Sequence, residues 1–539
     1  MKHFLNKSIN HAHKLLVLTA LLIISASLHA QILNSVQQRK LSNAYTIITN
    51  LYVDSINEKK LVESAIESML KELDPHSSYI PKEEVERVNE PLEGSFEGVG
   101  IQFQLLEDTL LVVQTISGAP AEKVGVLAGD RIIYINNELI AGVKMQNSDI
   151  MKRLRGPKGT EVTVKVLRRD HKDLMEFKII RDKIPVYSVD AIYMVTKEIG
   201  YIKINNFGAT TADEFQKAFS KLQKQGMKHL ILSLQGNGGG YLNAAQQIAD
   251  EFLKDDKLIV YTQGLNQPKS VMSSSTRGRY ENGKLIILVD EYSASASEIV
   301  SGAIQDWDRG IIVGRRTFGK GLVQRQIPLP DGSMMRLTTA RYYTPTGRSI
   351  QKPYKDGPEK YEKELLNRYN HGEFLYADSI QFPDSLRYQT LMLKRTVYGG
   401  GGIMPDIFVP IDTTKNINTY HRNIIAKGVL NKVVMQYIDR NRNDLKKKFS
   451  TFEKFDKKFD VSNDIMETLK AAGEKEKIEF NEEQYKKAEP IIKLQIKALV
   501  ARDLWDMNEY YRVIDAENES LQKAVEILQT PGAYEKILK

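Results

Sequence analysis

Cysteine is absent from all 539 residues, which excludes disulfides, thiolate metal sites, a cysteine nucleophile and a lipidated N-terminal cysteine. Long apolar runs are missing too. The longest, 15–24, is too short to span a bilayer comfortably, so the expectation is not an integral membrane protein. Basic charge is not concentrated. The formal net charge is +8, and Lys2, Lys7 and Lys14 all fall within the first 14 positions. Phosphate recognition requires a dense basic stripe, so nucleic acid is not an expected partner.

What is present at the N-terminus reads as an export signal. A basic stretch ends at Lys14, the apolar run follows, and small residues lead to Ala30. A cut after Ala30 would leave Leu28 at −3; a cut after Ser27, with Ser25 at −3, is the alternative. The mature chain is therefore expected outside the cytoplasm, in the periplasm if the source has two membranes. The 42% hydrophobic and 27% charged composition is that of a folded chain, and its length predicts two to four domains.

After a signal at 1–30, a helical region spans 31–93. Leu41, Ala44, Ile47, Ile48 and Leu51 share one helix face, and Leu61, Ala65, Ile66, Met69 and Leu70 repeat the pattern. From 94 to 185, short apolar strands (100–106, 109–114, 131–135, 161–166, 175–180) alternate with glycine turns around a short helix at 119–125, the make-up of one β-rich module. Residues 186–410 alternate strands (200–204, 229–234, 257–261, 284–289, 310–313) with helices (212–225, 241–253, 296–307), and an arginine-bearing strand follows at 334–343. That order predicts an α/β core with parallel pairing. Residues 411–539 read as helical, with mixed charge on solvated faces.

Three stretches of the α/β region carry chemistry. The apolar strand ending at Val289 runs into Ser293-Ala294-Ser295-Ala296-Ser297-Glu298 and then an amphipathic helix. A serine at such a turn is exposed at the carboxyl end of a sheet, next to free helix amides that suit an oxyanion. Ser295 and Glu298 also fit a helix-capping box, and that reading stays open. A second loop, Gly236-Asn237-Gly238-Gly239-Gly240, presents bare amides to a ligand backbone. The third, Gly314 to Gly321, approaches a phosphate-binding loop. It fails because Gly321 offers no hydroxyl for Mg²⁺ and because a strand pattern follows instead of a helix. Its Lys320 can serve as a base if desolvation lowers its pKa, with Gln324 near enough to orient the amine. No histidine is expected near the serine turn or this loop.

Together and in order, Gly-Asn-Gly-Gly-Gly at 236–240, Ser-Ala-Ser-Ala-Ser-Glu-Ile at 293–299 and Thr-Phe-Gly-Lys-Gly-Leu-Val-Gln at 317–324 resemble the core motifs of the C-terminal processing, or tail-specific, serine peptidases. The resemblance runs from about 36 to 410. It implies a ClpP/crotonase-like α/β core, a PDZ domain and helical N- and C-terminal regions. It also implies Ser295 as nucleophile, Lys320 as base, Gln324 as its orienting partner, and an oxyanion hole from Ala296 with Gly238 or Gly239. No metal or cofactor is implied. Gly98, Val99, Gly100 and Ile101 would form the carboxylate-binding loop of the PDZ domain, which adds a peptide as a strand. The implied substrates are envelope proteins or peptides with apolar C-termini, cut near those ends. The helical regions are candidates for a homodimer contact. One departure is Ser233-Leu234-Gln235, where the family often has Asp-Leu-Arg. The competing reading is a PDZ-bearing envelope scaffold or chaperone without activity, which would not need Ser295, Lys320 and Gln324 together.

Overall fold

The computed structural model describes residues 35–169, 171–276, 278–412 and 418–539; the expected export signal lies outside them. The chain divides into two compact units, 1–73 and 74–539. In the smaller one, α1 (Val36–Leu51) begins at Ser35, whose hydroxyl accepts from the Gln38 amide while the Gln38 side chain accepts from the Ser35 amide. Asn57 caps α2 (Glu58–Lys71) in the same manner. The apolar stripe of α1 forms but is not covered: Leu41, Ile47 and Leu51 are 53%, 56% and 77% exposed.

The larger unit opens with β1 (Ser78–Ile80) and α3 (Lys82–Glu93). The unit boundary at 73/74 therefore puts residues 74–93 in the larger unit, not with the helices ahead of it. Next comes a β-rich module. Its strands β2 (Ser95–Gly98) and β9 (Asp182–Pro185) pair at the base. Between them β3 (Ile101–Leu106), β4 (Thr109–Thr115), β5 (Arg131–Ile135), β6 (Glu138–Leu139), β7 (Glu161–Leu167) and β8 (Met175–Ile180) form one antiparallel sheet, in the order β3-β4-β5-β7-β8 with β6 on β5. Helices α4 (Pro120–Lys123) and α5 (Asn147–Leu154) complete it. Its core is built from Leu110, Val112, Ile132, Ile150 and Val164. The Asn136-Asn137 pair takes positive φ in the tight β5–β6 turn, where asparagine is tolerated.

The α/β core is a six-stranded sheet, β10 (Val189–Met194), β11 (Ile199–Ile204), β12 (His229–Ser233), β15 (Leu285–Val289), β16 (Ile311–Gly314) and β21 (Ile407–Phe408), in that order. Only the β10–β11 pair is antiparallel. Leu285 to Val289 are all buried, as expected for a parallel strand covered on both faces. One face packs on α6 (Thr211–Lys224), α7 (Leu242–Asp250) and α8 (Ala296–Asp306). A second sheet, β1-β18-β13-β14 with β17 (Leu322–Pro328) on β18 (Met334–Tyr343), stands beside it. The hairpin β13 (Leu258–Gly264)–β14 (Gln267–Ser273) was not foreseen, because β14 is largely exposed and carries no apolar alternation. Strands β19 (Arg387–Gln389) and β20 (Thr396–Tyr398) form a small separate ribbon after α9 (Pro358–Asn370).

The C-terminal region holds α10 (Thr419–Ala426), α11 (Val429–Lys448), α12 (Phe452–Lys458), α13 (Asn463–Lys475), α14 (Glu482–Leu504), α15 (Met507–Ile514), α16 (Glu519–Gln529) and α17 (Ala533–Ile537). Most of them share their own core, around Val433, Phe455, Ile492 and Val500. Two outward attachments follow. Met435 of α11 is buried with Leu106, Leu111 and Val113 of the β-rich module, beside an Arg131–Asp439 ion pair at 2.6 Å. Leu521, Ala524, Ile527 and Leu528 of α16 cover the second face of the parallel sheet.

Candidate active site

Three loops leaving the carboxyl ends of β12, β15 and β16 meet at one cleft of ≈430 Å³, the position where open α/β sheets hold ligands. Asp290, just past β15, joins two of them. Its carboxylate accepts the Tyr292 and Ser293 amides of the serine turn at 3.0 and 3.1 Å, and the Gly236 amide of the glycine loop at 3.0 Å.

Burial separates the three serines. Ser293 and Ser297 are fully buried, and their hydroxyls donate to the carbonyls of Leu234 and Asn237, each at 2.8 Å. Ser295 lines the cleft and holds φ at +56°, a strained conformation for a residue with a side chain. Gly239 packs against it so tightly that an added Cβ would lie 2.7 Å from Ser295 Cβ and 2.9 Å from the Ala296 nitrogen. The Gly239 amide donates to Asn237 Oδ1 at 2.8 Å. Of the two glycines expected to offer an amide, Gly239 is therefore already engaged. The amides of Gly238 and Ala296 have no partner among the described residues.

Glu298, in the first turn of α8, is the hub of the site. Fully buried, its carboxylate accepts the amides of Ser295 (2.8 Å), Gly319 (2.7 Å) and Lys320 (2.9 Å) and the Thr317 hydroxyl (2.5 Å). Burial outweighs these four donors and pushes its pKa up to about 7. The capping reading of the serine turn is thus present, and the same carboxylate also fastens the lysine loop to that turn.

Lys320 Nζ, just ahead of β17, donates to Oε1 of Gln324 within that strand at 2.9 Å. Burial, with the like charge of Arg336 on β18, pushes the amine down to about 8 against the pull of Asp74 and Glu298. Tyr342 OH ties the main chain of both loops, donating to the Lys320 carbonyl at 2.7 Å and the Ser295 carbonyl at 3.1 Å. Ser295, Lys320 and Gln324 line the cleft together. Among the described residues no hydrogen bond joins Lys320 Nζ to Ser295 Oγ; such contacts tighten when substrate is bound.

The orientation of Gln324 is set by a segment that the sequence reading passed over. Its Nε2 donates to the His76 carbonyl at 2.5 Å, so the amide oxygen is the end that faces the lysine. Asp74 holds that carbonyl in place: it accepts the amides of His76 (2.8 Å) and Ser77 (2.9 Å) and the hydroxyls of Ser77 (2.6 Å) and Thr338 (3.1 Å). A histidine therefore does approach the site, contrary to expectation, because β1 pairs with β18 across a long sequence gap. Its ring Nε2 lies 2.7 Å from Tyr361 OH, and burial together with the charge of Lys320 pushes it down to about 4, leaving it neutral. The available signal was the polar run Asp74-Pro75-His76-Ser77, out of place after an amphipathic helix.

At the positions that depart from the motif, Ser233 is fully buried, and Gln235 is held from two sides. Its carbonyl accepts from Lys203 Nζ at 2.8 Å and its side-chain oxygen from Asn518 at 2.9 Å. In the β-rich module, Gly98, Val99, Gly100 and Ile101 form the turn from β2 into β3. The carbonyls of Val99 and Gly100 accept from Ala121 (2.9 Å) and Ile116 (3.0 Å), and glycine is required at 100 both by its φ of +78° and because a Cβ there would strike Ala119. The amides of Val99 and Gly100 have no partner among the described residues, which is what a carboxylate-binding loop requires.

Comparison with known proteins matches four family models along the chain: the CtpB N-terminal domain of an activating protease over 21–84, a PDZ domain over 98–179, peptidase family S41 over 198–356, and a family of unknown function over 420–506. The chain is 36% identical over 317 residues to the carboxy-terminal processing protease CtpB of Bacillus subtilis, covering 58% of this chain and 65% of that one. It is 38% identical over 320 residues to a carboxy-terminal-processing protease of Bartonella bacilliformis, covering 58% and 73%. A probable CtpA-like serine protease of Staphylococcus aureus is 36% identical over 314 residues, covering 58% and 62%. The match thus spans about two thirds of the length of these relatives.

Proposed function

The chain belongs to the carboxy-terminal processing proteases, PDZ-bearing serine peptidases of family S41, and from that premise we propose that it is an endopeptidase working through Ser295, Lys320 and Gln324. The observation that carries the reading is a half-buried lysine with a lowered pKa, oriented by Gln324, in the same cleft as the one serine of three whose side chain is not committed to the protein interior. A binding scaffold has no use for such a lysine.

In the proposed mechanism, Ser295 Oγ attacks the scissile carbonyl carbon while the neutral Lys320 amine takes the hydroxyl proton. The oxyanion is held by the amides of Gly238 and Ala296, on the order of 3 kcal/mol per donor. The lysine ammonium then passes its proton to the leaving amine, the C–N bond breaks, and an ester to Ser295 remains. Water attacks that ester, Lys320 accepts the water proton, and collapse returns it to Ser295 Oγ with release of a carboxylate. Gln324 keeps the amine aimed throughout.

The remaining parts of the proposal are coarser. The core is read as ClpP/crotonase-like. The loop at 98–101 captures an apolar C-terminal tail, as its unpartnered amides favour, and the tail is cut near its end. The protein acts outside the cytoplasm on envelope substrates, in keeping with the signal at 1–30. The uncovered apolar stripe of α1 suits a second copy of the chain, giving a homodimer.

Casein digestion by the wild-type chain, Ser295→Ala and Lys320→Ala tests the centre. Both variants are expected to keep the wild-type melting temperature and lose turnover. Undiminished digestion by Ser295→Ala refutes the assignment.

A further inference from the structure

Arg336 lies in the cleft and its charge helps to lower the Lys320 amine, but it has been given no contact with substrate so far. It sits on β18 opposite Gln326 of β17 and Ser78 of β1, two residues from Thr338, and it lines the same cleft as Ser295 and Lys320. Other arginines around this core rest on carboxylates: Arg315 on Glu291 (2.7 Å), Arg316 on Glu373 (2.6 Å), Arg348 on Asp306 (2.7 Å) and Arg395 on Asp308 (2.7 Å). Arg336 has no carboxylate or hydrogen-bond partner among the described residues, although it is only partly exposed. Asp74, which bonds Thr338 two residues along the same strand, has its oxygens committed to His76, Ser77 and Thr338. No acidic residue lines the cleft; its charged groups are Lys320 and Arg336.

A half-buried guanidinium without a partner, next to a second cation, is costly unless something pairs with it. Guanidinium is also the side chain best shaped for a carboxylate, offering two parallel donors. Lys320 must be neutral to act, so Arg336 is the standing positive charge of the cleft. We propose that Arg336 is a carboxylate-binding subsite, selecting peptides that place an acidic side chain or their terminal carboxylate beside the reacting lysine. This rests on the peptidase reading but adds to it a preference for negative charge at the cleft, separate from the capture of apolar tails by the β-rich module.

The test uses the full chain and decapeptides of one apolar sequence. A single glutamate is walked along the peptide, each peptide having its glutamine counterpart, and the set is made as free acids and as C-terminal amides. Cleavage is followed by mass spectrometry for wild type, Arg336→Gln and Arg336→Lys. The wild type is expected to favour one carboxylate-bearing form about tenfold in kcat/KM. In Arg336→Gln that ratio falls to about one, and in Arg336→Lys part of it remains. A glutamate position that gives the effect identifies an acidic side chain; an effect confined to free acid over amide identifies the chain terminus. Capture of a terminal carboxylate by the module at 98–101 contributes equally in both enzymes and cancels in the comparison.

The same ratios, read as binding by fluorescence anisotropy in a Ser295→Ala background, do not depend on turnover. If the wild type cleaves nothing, the peptidase reading fails while the binding ratios still decide the subsite. If Arg336→Gln does not fold, the wild-type preference must still shrink as salt rises from about 50 to about 500 mM, as pairing with a partly exposed charge requires. Equal preference in wild type and Arg336→Gln, or a preference unmoved by salt, overturns the proposal.

Discussion

Changing Gln324 in two opposite ways should move the pH profile of cleavage in two opposite directions. In the folded chain Lys320 falls from 10.5 to about 8. At pH 7 that leaves about a tenth of the molecules with a neutral base, some 300-fold more than an ordinary lysine would supply. Gln324→Glu sets a carboxylate where the amide oxygen now lies, 2.9 Å from the amine. An opposite charge at that distance raises a lysine by roughly 1–3 pKa units. The acid limb of kcat/KM should therefore climb from about 8 to between roughly 9 and 11, with a loss of about 10- to 1000-fold at pH 7. Activity should return at high pH, though not fully, because the carboxylate cannot donate to the His76 carbonyl as Gln324 Nε2 does. Gln324→Leu removes an acceptor that favours the ammonium, so its limb should move down by about one unit while the plateau falls at least tenfold. The assay is initial-rate cleavage of one peptide between pH 6 and 11. An acid limb at the same pH in all three enzymes would show that Lys320 is not the titrating base, and shifts in one common direction would show that Gln324 does not act on it by charge.

Three further outcomes follow from the same geometry. Gly239→Ala should abolish activity, since the new Cβ has backbone and Ser295 within 2.9 Å, whereas Gly238→Ala, with open space around it, should retain most of it; equal activities in a peptide assay would contradict the packing. Glu298→Ala strands three amides and the Thr317 hydroxyl, and should cost about 3–5 kcal/mol in denaturant melts. Because the folded pKa of Glu298 lies above the ordinary glutamate value of 4.5, its share of stability is present below pH 4.5 and lost as pH rises to about 7, so Glu298→Gln should flatten the pH dependence of Tm across that window. Leu521→Asp puts a charge at a 5% exposed position against the parallel sheet and should lower Tm by more than about 10 °C, read by calorimetry, while Gln522→Asp, at the exposed next position, should not.

The strands of the β-rich module and the parallel sheet were legible because buried strands write themselves as apolar runs, and the three loops because glycine and serine mark sharp turns. Ser295, Lys320 and Gln324 were legible as residue types. The choice of Ser295 over Ser293 and Ser297 was not, since hydroxyls that donate inward and one that faces a cleft look alike in a list of residues. Local pattern also hid what long-range pairing creates. The His76 carbonyl reaches Gln324 only through the β1–β18 ladder, and Arg336 joins the cleft by its place in β18. The charged C-terminal helices gave no hint that α11 holds the β-rich module or that Asn518 reaches Gln235.

The cover that α16 gives the parallel sheet also sets a clock. A ribosome delivers Ser295, Lys320 and Gln324 about 200 residues before Leu521, Ala524, Ile527 and Leu528, the residues that cover Tyr201, Ile231, Ile286 and Val313 in the finished fold. At roughly 5–20 residues per second the interval lasts about 10–40 s. Throughout it the chain carries all three site residues but lacks the cover of the sheet's second face, and close packing is what holds loops in register. A peptidase centre built on this sheet is thereby completed only when the last helices of its own chain are in place.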